Sequence, residues 1–136
     1  MSEANQKTIE AVYAAFGRGD LPFILDRVTD GTRWDFSVGR SPVPWHAPVR
    51  SKAELPLFFQ AMAENLVFEA FEPLAFMSDR HNVVVKLRLA YTVKRTSRKV
   101  EEEQVQWWNF DDGGRIAGLR HYEDTAGVQA AWGPAA

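Results

Sequence analysis

Imidazole is the side chain that titrates near neutral pH without special help, so the three histidines are the first residues to consider for moving a proton. They stand at His46, His81 and His121, separated by 35 and 40 residues, a distribution that offers no metal-ligand spacing. Cysteine is absent, which removes disulfides, thiolate metal sites and cysteine nucleophiles together. The Gly-rich phosphate loops, the Gly-x-Ser-x-Gly elbow, the His-Glu-x-x-His zinc signature and the Asp-rich calcium loop are absent too. The chemistry expected is therefore acid–base chemistry with no metal and no cofactor. His81, in Ser78-Asp-Arg-His81-Asn, reads as a solvated turn residue. His46 follows Trp45 in a Pro-rich segment and reads either as part of a lid over a cavity or as an exposed loop histidine. His121 is the sharpest candidate, as a proton shuttle or as a core histidine with a satisfied hydrogen bond.

The elements that must position these residues follow from periodicity. Ile9, Val12, Tyr13 and Phe16 recur at helical spacing, and Gly17 and Gly19 end that helix. Asp20 reads as the N-cap of a short second helix with Pro22 in its first turn and Leu21, Ile24, Leu25 and Val28 as its stripe. Thr32 to Val38 reads as a strand, followed by GRSPVPWHAPVR, whose prolines forbid a regular helix or central strand. Ser51 and Glu54 form the pattern of a capping box opening a third helix, in which Leu55, Phe58, Phe59, Met62 and Leu66 share a face and Pro56 introduces a bend. From residue 67 the period changes to two. Val83 to Val93 alternates apolar and polar, Thr96 to Lys99 turns, Val100 to Phe110 returns, Asp111 to Gly114 turns again, and Arg115 to Glu123 is the last strand. Thr125 to Trp132 reads as the start of a helix. Three helices interleaved with one strand, then an antiparallel meander, make an α+β chain.

Composition narrows the function classes. The 136 residues suit one domain spanning 1–136. Sixteen basic against eighteen acidic side chains leave a net charge of −2, so no basic excess exists for nucleic acid. No apolar run approaches a membrane span and the N-terminus lacks the pattern of a secretory signal, so the expectation is a soluble cytoplasmic protein. Nine Phe, five Trp and three Tyr are enough to line a cavity as well as fill a core.

Three features carry a resemblance: the Gly19-Asp20 corner, the third helix after a Pro-rich loop, and the ending Phe110-Asp-Asp-Gly-Gly-Arg-Ile116 with Arg120-His-Tyr-Glu-Asp-Thr125. In this order they resemble the nuclear-transport-factor-two-like superfamily, in its SnoaL-like and ketosteroid-isomerase-like branch. The resemblance implies a cone-shaped fold of three N-terminal helices on a strongly curved, mostly antiparallel sheet, with an apolar cavity between helices and sheet. Because that fold hosts isomerases, dehydratases, hydrolases, cyclases and non-enzymatic adaptors, function must be argued from the site.

Carried over residue by residue, the ending places Gln106 where ketosteroid isomerases have an acid in the oxyanion hole, and Leu119, His121 and Glu123 on the cavity side of the last strand. Gln106 donates through its amide but is no acid. The isomerase oxyanion tyrosine aligns with Val12, leaving Tyr13 one residue along and pointing elsewhere, which disfavours steroid isomerase activity. Asp35 falls within one residue of the isomerases' general base. It is a base in the cavity or, after a one-residue slip, an ordinary exposed aspartate. Asp124 resembles the general base of SnoaL-like cyclases, or else caps the C-terminal helix. Arg120 and Asp124 supply only part of the two-aspartate, one-arginine arrangement of limonene epoxide hydrolase.

These readings combine into an expected site: Asp35, His121 and Asp124 as catalytic residues, with Tyr13, His46, Phe59, Gln106 and Trp108 binding the substrate. The expected activity is proton abstraction beside a carbonyl in an apolar oxygenated ring compound, leading to isomerisation, cyclisation or dehydration. A non-catalytic binder of a small hydrophobic molecule and a protein-interaction domain are the rival readings. Trp107 falls on the convex face, where it is expected to meet a second copy in a homodimer.

Overall fold

A computed structural model of the chain describes residues 2–134; Met1, Ala135 and Ala136 of the expected 1–136 domain lie outside the described residues. The first helix, α1 (Ser2–Gly17), buries Ile9, Val12 and Ala15. It ends where Gly19 takes a left-handed backbone (φ +71°), and the Asp20 amide donates to the Ala15 carbonyl at 2.8 Å. The Asp20 carboxylate then accepts the Phe23 amide at 3.1 Å, capping α2 (Leu21–Leu25).

Strand β1 (Val28–Phe36) begins four residues earlier than the Thr32 start read from the sequence. Asp30-Gly31 has turn chemistry, yet an irregularity between Val28 and Arg33 lets the strand absorb it. The Pro-rich segment follows, with a 3-10 turn at Pro44–His46. It folds inward rather than over the surface, burying Val43, Trp45, His46 and Val49. Reciprocal backbone bonds between Trp34 and Val49, at 3.0 and 2.8 Å, tie it to β1.

Helix α3 (Leu55–Asn65) starts after a second 3-10 turn, Lys52–Glu54. The expected capping box does not form: Ser51 makes no side-chain cap, and Glu54 Oε1 accepts the amide of Arg50, not of Ser51, at 2.7 Å. Pro56 falls in the first turn, where its missing N–H breaks no helical bond, so the expected cause of a bend disappears. Leu66 opens β2 (Leu66–Ser78) instead of closing the helix.

Strands β3 (Asn82–Val93), β4 (Arg98–Phe110) and β5 (Ile116–Tyr122) complete a five-stranded sheet of order β1-β5-β4-β3-β2, antiparallel except for the β1/β5 pair. β2 carries Pro73 at the sheet edge, beside one of its two register irregularities, where a missing donor costs little. Helix α4 (Thr125–Trp132) packs back on the sheet. The architecture is α+β. Among the described residues no helix is long and apolar enough to cross a membrane.

The sheet's two faces differ sharply. One face buries Val83, Val85, Leu87 and Trp108 under the helices. The other carries ion pairs such as Lys86–Glu103 and Arg88–Glu72, with Trp107 43% exposed beside them. Arg88 stands opposite Glu103 on β4 and Glu72 on β2, and its guanidinium donates to Glu72 at 3.0 Å.

Candidate functional site

Between the helices and the buried face of the sheet lies a cavity of about 600 Å³, the solvent at its mouth included. Its walls are aromatic: Tyr13 and Phe16 from α1, Phe58 and Phe59 from α3, Trp34 from β1, and Trp45 from the Pro-rich loop. Edge-to-face packing locks several of them, with Trp34 and Trp108 at 5.2 Å and 87°. A cleft between the α1/α2 corner and α3 shares Phe16, Ile24, Phe59 and Met62 with the cavity and is also lined by Asp20 and Gln60.

The floor carries a polar stripe set by strand register. Gln106 and His121 are direct cross-strand partners, so alternation puts Gln104 and Glu123 on the same face two residues further along each strand. At one end the polar atoms form a closed chain. Trp108 Nε1 donates to the Tyr13 hydroxyl at 3.1 Å, that hydroxyl donates to Gln106 Oε1 at 2.8 Å, and Gln106 Nε2 donates to Gln104 Oε1 at 2.8 Å. Burial pushes the Tyr13 hydroxyl's pKa upward, keeping it a neutral donor, against a smaller downward pull from Trp108.

His121 sits beside this chain, stacked on Phe36 at 4.0 Å and 6°. Its Nδ1 lies 3.0 Å from the Asp35 carbonyl oxygen, a contact that requires Nδ1 to carry the proton and donate it, leaving the lone pair on Nε2. Burial holds its pKa down at about 4, opposed by the Asp35 carbonyl and helped by the nearby His46, so the ring is neutral at pH 7.

Past His121 the stripe ends in a second cluster with a different character. Glu123 lines the cavity with a side chain only 1% exposed, and His46 Nε2 stands 3.5 Å from its Oε2. Ser41 Oγ accepts the Val43 amide at 3.2 Å and lies 2.7 Å from His46 Nδ1, fixing the ring. Glu102, behind Glu123, accepts the Asp124 amide at 3.1 Å. Burial, and then repulsion from Glu123, raise its pKa to about 7. His46 Nε2, Glu102 Oε2 and Glu123 Oε2 are buried without a hydrogen-bond partner.

The expected site residues are thus distributed unevenly. Tyr13, Phe59, Gln106, Trp108 and His121 line the cavity. Tyr13 was expected to point elsewhere; both it and Val12 reach the cavity, because α1 lies across the sheet with two adjacent stripe positions facing inward. Asp35 does not reach it. Its carboxylate pairs with Arg120 at 2.9 Å on the other face, because β1 aligns Asp35 with Arg120 and puts Phe36 beside His121. Asp124 does not reach it either: its Oδ1 accepts the Gly127 amide at 3.0 Å and caps α4. His46 is neither lid nor exposed loop residue but buried behind the cavity wall. His81 is exposed and bonded to Asp112 at 2.8 Å.

Glu102 was missed, although it shares the parity of Gln104, because it stands in the run Glu101-Glu102-Glu103, which resembles a solvated stretch. Glu123 was expected on the cavity side, but its contact with His46 depends on how the loop folds. Among the described residues no group of three His, Asp or Glu is placed to hold a metal ion.

With this geometry in hand, the SnoaL-like domain family matches residues 9–119. An NTF2-like protein from Burkholderia xenovorans LB400 is 24% identical, with 96% of this chain and 97% of that chain covered and a TM-score of 0.86. An NTF2-like protein of unknown function from Burkholderia pseudomallei K96243 is also 24% identical, covering 98% and 100%, with a TM-score of 0.86. A protein assigned as a SnoaL-like polyketide cyclase, from Jannaschia sp. CCS1, is 18% identical over 99% of this chain and 96% of that one, with a TM-score of 0.77. At these identities the solved structures establish the shared fold alone. Comparison with curated proteins gave no match.

Proposed function

The chain belongs to the SnoaL-like domain family, and on that premise we propose that it is a small cofactor-free enzyme whose helices and sheet form a cone around an apolar oxygenated ring compound. The reaction is proton abstraction beside a carbonyl, leading to isomerisation, cyclisation or dehydration. The observation that carries this reading is His121: a neutral imidazole in an aromatic cavity, its tautomer set by the Asp35 carbonyl and its Nε2 facing the enclosed space.

In this mechanism Nε2 accepts the proton. The imidazolium that forms is stabilised by the Asp35 carbonyl on Nδ1 and by Glu123 two residues along the same face. The amide N–H groups of Gln104 and Gln106 left free by their mutual bond donate to the developing enolate oxygen. Trp108, Tyr13 and Phe59 hold the ring. Asp35 and Asp124, expected as catalytic residues, take no part in this mechanism, and Glu123 holds a donor group on the substrate. The closed chain from Trp108 to Gln104 favours a second reading, a binder with no turnover, because its polar atoms already satisfy one another.

The test is deuterium uptake beside the carbonyl of a panel of cyclic ketones in heavy water, followed by NMR. Wild-type protein is expected to catalyse exchange, and H121Q to lose about a hundredfold of it. Equal rates for wild type and H121Q, or no exchange with any ketone, would leave the binder.

We also propose that a second copy covers the convex face. Trp107, Met77 and Tyr122, which are 43%, 70% and 41% exposed, are the apolar residues offered there. W107E is expected to convert a dimer to a monomer in light scattering; a wild-type monomer refutes this.

A further inference from the structure

Among the described residues the cavity lining holds no Lys or Arg, and its one carboxyl, Glu123, has an oxygen with no hydrogen-bond donor. Two carboxyls, the buried Glu123 and the half-buried Glu102, stand close enough to repel, and the imidazole of His46 faces Glu123 alone of the two. Even with His46 protonated, the cluster is one positive charge short when both carboxyls are ionised. The other groups facing it do not supply that charge: Tyr91 from β3 is a phenol, His121 from β5 is neutral, and Asp124 adds a further negative charge nearby. Below about pH 7 a proton on Glu102 makes up the deficit.

We propose that the ligand of this cavity is an organic amine bound as its ammonium ion, with N–H groups on Glu123 and its apolar body among Trp34, Trp45 and Trp108. This rests on the reading that a ring compound occupies the cavity, and it adds the charge that compound carries. Three observations converge on it. Glu123 lines the cavity with its Oε2 3.5 Å from His46 Nε2 and without a hydrogen bond, and an ammonium group brings up to three donors to such a carboxylate. The aromatic faces around it attract cations, an effect strongest where water is excluded. A carboxylic acid entering the same space would meet Glu123 with no Lys or Arg in the lining to balance it.

Binding of the cation also displaces the proton held on Glu102, since one positive charge replaces another. Amine affinity therefore rises as pH rises through about 7, and protons are released on binding.

Calorimetry with three naphthalene probes tests the proposal: 2-naphthylmethylamine, 2-naphthalenemethanol and 2-naphthoic acid, with benzylamine as a smaller amine. The naphthyl amine is expected to bind about tenfold or more tighter than the alcohol, and the acid not to bind. Titration in buffers of different ionisation enthalpy is expected to show proton release near pH 7. E123Q is expected to bind amine and alcohol alike. Should E123Q fail to fold, E102Q serves in its place, binding the amine with no proton release and no rise in affinity with pH. Equal affinity of wild type for amine and alcohol, binding of the acid, or no binding of either amine at millimolar concentration would overturn the proposal. Amine binding without ketone exchange overturns the enzyme reading alone. Ketone exchange that H121Q abolishes, alongside equal affinity for amine and alcohol, overturns this inference alone.

Discussion

The two ends of the cavity's polar stripe are built from similar strand positions and have opposite chemistry. At the Gln106 end, three side-chain hydrogen bonds of 2.8–3.1 Å link four neutral groups into a chain. At the Glu123 end, three buried polar atoms have no hydrogen-bond partner, and the contact between the two residues most deeply placed is 3.5 Å. Neutral groups that satisfy one another can be buried at little net cost, whereas charged groups lose hydration that only good partners restore. The first end is a rigid wall. The second is a poorly satisfied cluster, to which the ammonium ion proposed above would bring donors.

Breaking each end in turn should expose that difference. H46A removes the basic group paired with Glu123 and empties space against Phe36. It is expected to cost about 3–5 kcal/mol in urea denaturation, the range for leaving one partner of a buried pair alone. Q106L takes away only the acceptor of the Tyr13 hydroxyl and should cost about 1–3 kcal/mol. Equal losses in the two variants would mean that the ends are energetically alike and that the contrast drawn from their geometry is wrong.

A pH series sharpens the same contrast, because His121 and Glu102 pull stability in opposite directions. The folded-state pKa of His121 lies below that of an unfolded histidine, so the unfolded chain binds more protons in the window from about 6.5 down to about 4. Its contribution is present above that window and is lost as pH falls through it. Glu102 is the reverse: its folded pKa, about 7, lies above the ordinary 4.5, so its contribution is present below that window and is lost as pH rises through it. H121F should therefore reduce the loss on the acid side, and E102Q the loss on the alkaline side. Denaturation midpoints measured from about pH 4 to pH 8 check both. A variant whose pH curve parallels wild type would show that its residue does not titrate as described.

What could be read from the sequence follows the same division. Alternation along β4 was enough to group Gln104, Gln106 and Trp108 on one face, since a strand's period of two is dictated by the backbone, while the resemblance turned His121 and Glu123 of β5 toward the cavity. The helix stripe and the Gly19-Asp20 corner were legible for the same local reason. The His46 contact was not, because three prolines within seven residues exclude regular structure without saying which way the segment folds. Nor was the direction of Asp35. An irregularity between Val28 and Arg33 shifts the register of β1, and side-chain direction inverts with each residue of slip. Glu102 shows a third limit: parity pointed inward, but its acidic neighbours suggested water.

The smallest expected effect bears on that register. Asp35 and Arg120 form an ion pair at 2.9 Å on the solvent face, with side chains 39% and 47% exposed. Such pairs contribute little, so D35N should change stability by at most about 1 kcal/mol. What β1 gives the site at this residue is its backbone: the carbonyl of Asp35 orients His121, and asparagine presents the same carbonyl. Ketone exchange by D35N should thus match wild type in rate and pH profile. A D35N variant that lost exchange while remaining folded would mean that the carboxylate itself acts on the substrate, and that β1 pairs with β5 one residue away from the register found here.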